Sequence, residues 1–241
     1  SNKTEHIVIE EGITGIGSEA FAGFVKVLSV NIPYTVKKIK RNSFENNYRL
    51  REIQIPNEVI SIGDKAFAGC HGLKNLSLPS KLNYVGSFEF CKNIKSISLP
   101  DSTKDTADGM FTGCEMLTSV KLPRKLKAIK AYDFADCRKL TKLNIPVTVK
   151  VVYMSAFAGS GLKKIVLPSN VQKIRNGNDG QKVFEYIKGI GYPTKNLRVI
   201  EIHSKKVKSI QKNSFSGLSS KVVIKVPKSK KKKYTKMLRK S

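Results

Sequence analysis

The apolar and polar positions along this chain recur on a fixed beat. Pro33, Pro56, Pro79, Pro100, Pro123, Pro146 and Pro168 are separated by 23, 23, 21, 23, 23 and 22 residues, and Pro227 returns later in the same local context. Eight of the nine prolines follow an apolar-x-apolar triplet, such as Ile53-Gln54-Ile55-Pro56 or Leu143-Asn144-Ile145-Pro146. Phe21, Phe44, Phe67, Phe88, Phe111, Phe134 and Phe215 each lie 12 residues before a repeat proline, and Phe157 lies 11 before its own. A triplet of period two is a short strand with one buried face. Proline ends it because it cannot donate to a ladder.

The whole unit is legible between two prolines. After Pro56 come Val59, Ile62, Ala66-Phe67, Cys70, Leu73, Leu76 and Leu78. Val36, Ile39, Phe44, Leu50, Ile53 and Ile55 fill the same slots one unit earlier. Leu126, Ile129, Phe134, Cys137, Leu140, Leu143 and Ile145 fill them three units later. Glu10 and His203 stand where other units have proline. Nine units result: 10–32, 33–55, 56–78, 79–99, 100–122, 123–145, 146–167, 168–202 and 203–226. One unit cannot bury its own apolar side chains, whereas stacked copies turn each slot into a continuous apolar row. The expected fold class is therefore a repeat solenoid with a parallel sheet of short strands. Neighbouring strands lie ~4.8 Å apart, so nine units span roughly 45 Å. The Ala-Phe segment is too short for a long helix and predicts a single helical or 3₁₀ turn, or irregular coil.

The 21–23-residue period falls within the leucine-rich repeat range. In detail, Val59, Ile62-Gly63, Ala66-Phe67, Cys70, Leu73, Leu76 and Leu78 resemble the repeat of the BspA-like leucine-rich repeat proteins without a gap. The resemblance covers residues 5–227. It implies a curved, right-handed solenoid in a secreted or cell-surface bacterial protein, with roles in adhesion and in binding host extracellular proteins. A fold does not by itself carry a function.

Three departures from the frame stand out. Thr103 and Thr106 replace the usual Val and Ile, which predicts a loosely packed edge. The eighth unit has 35 residues, and its turn-rich stretch 175–180 reads as an inserted loop, a common place for binding in solenoids. A short helix is expected from Gln181 to Lys188. Third, residues 228–241 form a basic tail, with Tyr234, Met237 and Leu238 at helical spacing. A helix over 229–240, docked through Tyr234 and Leu238, would cap the last apolar rows. The N-terminal end, with Ile7 and Ile9 beginning mid-pattern, shows no comparable cap and suggests that upstream sequence has been removed.

Charge changes the picture more than the rest of the composition does. Forty-five Lys and Arg against 18 Asp and Glu give a net charge of +27. Such a field attracts polyanions with steep salt dependence. Lys outnumbers Arg 37 to 8, which favours diffuse attraction over sequence-specific nucleic-acid readout. No apolar run reaches the ~18 residues that span a bilayer.

Catalytic chemistry is not legible. His6, His71 and His203 are scattered, and no nucleophile, phosphate-loop or metalloprotease motif is present. Cys70, Cys91, Cys114 and Cys137 occupy one slot of the repeat, which Phe24, Asn47 and Leu218 fill elsewhere. They read as a buried row of reduced thiols; zinc would need a tight pair such as Cys-x-x-Cys. No cofactor or metal is expected.

The expectation is thus a monomeric, non-catalytic binding module. Its outward strand positions run Ser29/Asn31, Glu52/Gln54, Asn75/Ser77, Ser96/Ser98, Ser119/Lys121, Lys142/Asn144, Lys164/Val166 and Val199/Glu201, along the concave side. The candidate ligand surface comprises Lys121, Lys142, Asn144 and Lys164, with Asn178, Asp179 and Lys182 of the insertion. Phe67, Phe111, Phe134, Cys70, Cys114 and Cys137 are assigned to structure. The partner is a host extracellular or surface protein, or an acidic glycan or wall polymer; a spacer with no ligand is the alternative.

Overall fold

The computed structural model describes residues 5–175, 196–211, 214–215 and 218–239. It is a parallel-strand solenoid of about nine turns, closed at its C-terminal end by one helix. The triplets form one row of strands. His6–Val8, Ser29–Asn31 and Glu52–Gln54 pair in parallel, as do Ser96–Ser98 with Ser119–Lys121. Lys164–Leu167, Val199–Ile202 and Val223–Lys225 complete the row. The register joins equivalent slots, for example Val30 with Ile53 and Ile200 with Ile224.

A second row of strands was not anticipated. Gly15–Ile16, Lys38–Ile39, Ser61–Ile62, Tyr84–Val85 and Asp105–Thr106 form a five-stranded parallel ladder on another side of the coil. Ala128–Ile129, Val151–Tyr153, Lys173–Arg175 and Ser209–Ile210 continue it as a four-stranded one. Most of these strands have only two residues, too few to display an alternation. Gly63 and Gly86 sit just beyond this row because adjacent turns nearly touch there: a Cβ on Gly86 would lie 2.0 Å from the Gly63 carbonyl oxygen.

The phenylalanines stack as one continuous aromatic row. From Phe21 to Phe157 seven rings follow one another with centroids 5.4–6.3 Å apart. Phe44, Phe67, Phe88, Phe111 and Phe134 are fully buried. The segment that presents them is a turn, with a 3₁₀ helix only at Met154–Phe157. Residues two before and two after the ring take left-handed backbone: Asn42, Lys65 and Tyr132 before it, Asn46, Gly69, Gly113 and Asp136 after it. This double reversal aims the ring inward and the neighbouring N–H groups at the next coil. Phe44 donates to the Ala66 carbonyl at 2.9 Å, and Asn46 to that of Ala68 at 2.7 Å.

The cysteines are free and buried, and they do more than fill space. Each thiol donates to the carbonyl of the phenylalanine one coil earlier: Cys70 to Phe44, Cys91 to Phe67, Cys114 to Phe88 and Cys137 to Phe111, at 3.0–3.2 Å. Asn47 makes the equivalent bond to Phe21 at 2.9 Å. Burial pushes the Cys91 thiol up to about 12 and raises the other three as well.

One expectation changes on the outer edge. Thr103 and Thr106 are 3% and 2% exposed, so this edge is buried rather than loose. Thr106 fits because it sits in the paired strand Asp105–Thr106. The second row breaks one coil later, between Thr106 and Ala128. Elsewhere the residue after the strand donates its N–H to the previous coil, as Lys40 does to Ile16 and Ala107 to Val85. At the break, the buried carboxylate of Asp133 accepts the Lys130 N–H at 2.7 Å instead. The Lys130 ammonium then substitutes, donating to the Thr106 carbonyl at 2.5 Å and lying 2.9 Å from Asp105. Asp133 occupies the slot before phenylalanine, where other coils have Ser43, Ala66 or Ser87.

At the C-terminus, a 3₁₀ turn at Lys228–Lys230 leads into the helix Lys231–Leu238. Tyr234 is fully buried; its hydroxyl donates to the Ser204 carbonyl at 2.8 Å and accepts the Val207 N–H at 3.1 Å. Met237 packs against the core beside it, and Leu238 is half-buried.

Three measurements check this packing. Phe67→Ala removes a ring from the middle of the stack and should cost about 3–5 kcal/mol, read as a lowered denaturant midpoint; an unchanged midpoint would contradict the stack. A thiol reagent should titrate none of the four cysteines in the native protein and all four in guanidinium. Burial pushes the Asp133 carboxyl up to about 8, so folding favours its protonated form. That contribution is complete below the ordinary carboxyl range near pH 4 and is lost as pH rises to about 8. Relative to Asp133→Asn, the wild type should therefore lose up to ~1 kcal/mol per pH unit across this window. Parallel stability curves for the two proteins would refute it.

Candidate binding face on the triplet strands

Along each triplet the apolar side chains point into the core, which leaves the intervening residues on the surface. Asn31, Glu52, Gln54, Asn75, Ser77, Ser96, Ser98, Ser119 and Lys121 are all exposed there. The ladder is interrupted between Glu52–Gln54 and the next coil, where only Asn75 makes an isolated bridge, to Ser96. Two adjoining hollows mark this region. The first, about 670 Å³, is lined by Asn31, Arg51, Gln54, Lys74 and Asn75, with Val30 and Ile53. The second, about 550 Å³, is lined by Asn75, Ser77, Ser96, Ser98 and Lys121, with Leu76 and Ile97. Asn75 borders both. Hydroxyl and amide groups around an apolar lining suit a ligand that offers both hydrogen-bonding groups and small apolar ones.

The C-terminal part of the face is charged. Lys121 ends its strand exposed, while Lys142 and Asn144 are exposed in a coil whose triplet forms no strand. Lys164 lies on the next strand but turns to Glu201, 2.8 Å away. Glu201 also meets His203 at 3.3 Å and Lys225 at 3.4 Å. The Lys164 hydrogen bond, aided by His203 and Lys225, holds the Glu201 carboxyl down to about 2. Among the described residues, Lys142 therefore presents its charge without an ion pair, whereas Lys164 does not. Asn178, Asp179 and Lys182 lie outside the described residues, as does the helix expected at Gln181–Lys188.

The remaining chemistry-bearing groups are dispersed. His6 hydrogen-bonds Ser29 at 2.8 Å. His71 stacks on Tyr48 with ring centroids 5.0 Å apart, and burial with Lys92 nearby lowers its pKa. This stack escaped the sequence reading, although Tyr48 and His71 are 23 residues apart in one slot and the period alone places them together. Among the described residues, no group of three or more His, Cys, Asp or Glu could hold a metal ion, and no helix is long and apolar enough to cross a membrane.

Solved structures place this architecture. A leucine-rich repeat protein from Bacteroides ovatus matches with a TM-score of 0.62 and 27% identity, covering 92% of this chain and 69% of its own. The T. pallidum leucine-rich repeat protein matches with a TM-score of 0.62 and 25% identity, covering 80% of this chain and 86% of its own. A leucine-rich cell surface protein from Faecalibacterium prausnitzii shares the fold, with a TM-score of 0.55 and 20% identity over 91% of this chain and 63% of its own. Among curated proteins, none matches. The family model for the BspA type leucine-rich repeat region matches in six copies over residues 1–91 and 86–190. Repeats of this kind are typically non-enzymatic, and the family is one of bacterial surface proteins that generally mediate interactions. With the period, the stacked phenylalanines and these matches in agreement, the chain belongs to the BspA-type leucine-rich repeat family.

Proposed function

We propose that this chain is a non-catalytic adhesion module of a secreted or surface-exposed bacterial protein, and that it holds an extended segment of an extracellular protein along its triplet face. The observation that carries this reading is the pair of adjoining hollows meeting at Asn75. Their amide and hydroxyl groups offer donors and acceptors to a peptide main chain, and their apolar lining offers contact to small side chains. No aromatic residue lines either hollow, so stacking on a sugar ring is not supported. Lys121, Lys142, Asn144 and Lys164 continue the face toward the insertion, where Asn178, Asp179 and Lys182 would extend the contact.

Because the hollows are mostly uncharged, binding there should persist at high salt. The test is a panel of immobilised extracellular-matrix proteins probed at 50 and 500 mM salt. At least one interaction is expected to survive both conditions and to weaken at least tenfold in Asn75→Arg and Ser98→Arg, with unchanged melting. Undiminished binding by both variants would overturn the face assignment. No binding at either salt would leave a structural spacer.

A further inference from the structure

The capping helix carries far more charge than capping requires. Its docking uses Tyr234 and Met237, together with the Lys233 ammonium, which donates to the Val207 carbonyl at 3.1 Å. Lys228, Lys230, Lys231, Lys232, Lys236 and Arg239 are all exposed, and no ion pair is formed by any of them among the described residues. The segment beneath the helix adds exposed Lys205, Lys206 and Lys208. After Glu201 the chain contains 14 Lys and Arg and no acid at all, and Glu201 itself is already held by Lys164, Lys225 and the His203 ring. The charge is thus concentrated at one end of the solenoid and left uncompensated there.

This placement works against the helix that bears it. Lys231, Lys232 and Lys233 fill the first turn, with neither an acidic residue nor a side-chain cap. Cations there oppose the helix dipole, and Lys232 and Lys236 are like charges one turn apart. A helix selected only to cover an apolar row has no use for that arrangement. A polyanion bound there would neutralise this charge and stabilise the helix that carries it.

We infer that the C-terminal cap is a docking surface for a linear polyanionic glycan, a flexible chain with sulfate or phosphate groups at regular intervals. Three observations define the class. Seven of the eight cations from Lys228 to Lys240 are Lys, which suits closely spaced point charges better than bidentate recognition of one group. The helix turns its apolar residues Tyr234 and Met237 to the solenoid, so none is free to enter a bilayer as an interfacial helix requires. Its one aromatic side chain is buried, which leaves no stacking platform for single-stranded nucleic acid. This surface is separate from the triplet face, and its assignment does not depend on the adhesion reading above.

The test uses a sulfated heparin oligosaccharide as probe. Three proteins are compared: wild type, the cap variant Lys231→Gln/Lys232→Gln/Lys236→Gln/Arg239→Gln, and the control Lys81→Gln/Lys104→Gln/Lys125→Gln/Lys127→Gln. The control removes the same charge from exposed positions in mid-solenoid. The cap variant should bind at least tenfold more weakly at 150 mM salt, and the slope of log affinity against log salt should fall by about 3. The control should stay within twofold of wild type. The cap variant should melt no lower than wild type, so that lost binding is not lost folding. Equal losses in cap and control variants would reduce the effect to net charge and overturn the site. So would unchanged binding by the cap variant, or preferential capture of single-stranded DNA or phosphatidylserine vesicles at matched anion concentration.

Discussion

The inner corner at each phenylalanine is the constraint on which the rest of this solenoid depends. Most coils reverse direction on both sides of the ring through left-handed residues two positions away, and those of Phe88 and Phe157 have such a residue after the ring, at Phe90 and Gly159. The reversal leaves backbone groups in a water-free interior, where an unmatched carbonyl is costly. The thiols resolve this. Each reaches back one coil to the phenylalanine carbonyl, which also accepts the N–H three residues ahead in its own coil, as Phe67 does from Cys70. From Asn47 to Ser160 the slot holds small side chains that can donate, whereas Phe24 and Leu218 fill it in coils nearer the ends. Asn47 makes the same contact with a different group, and Ser160 turns to its own coil's Phe157 carbonyl at 2.8 Å. The period that spaces the four cysteines also assigns each thiol a separate carbonyl.

The period was legible because large residues carry it. Phenylalanine, proline and the Ile or Leu of each triplet recur without ambiguity, and the fold follows from stacking them. The second row was not legible, because a pair such as Lys38–Ile39 is too short to show an alternation. Asp133 becomes visible only against the frame, as an acid in a slot that in the other described coils holds Ala, Ser or Met. Nothing local announces that it will take the Lys130 N–H and leave that lysine's side chain to repair the ladder. The hollows at Asn75 were equally hidden, since they arise where a ladder fails rather than where a residue stands out. The Glu201 cluster lies between these cases. Glu201 and Lys225 occupy one slot, but the reach of Lys164 across to them depends on the side chain's own geometry.

Charge and shape are distributed differently along the axis. The hydroxyl and amide face belongs to the early coils, where acids and bases are nearly balanced. Basic residues then accumulate toward the helix, and the last acid is consumed by its neighbours. The two ends are unlike in their apolar surface as well. Ile13, Phe24 and Val25 remain at least 40% exposed near the start, whereas at the other end Tyr234 is fully buried and Val223 stays 54% exposed.

The interrupted ladder has a mechanical meaning. Beside Glu52–Gln54 the triplet strands lose their neighbour, yet Ser61–Ile62 and Tyr84–Val85 remain joined at the same level. One seam there is open while the opposite one holds, much as a book opens about its spine. Each repeat touches only its neighbours, so tension along the axis cannot bypass that junction. Under tension the hollows beside Asn75 would widen while the second row still held that junction together.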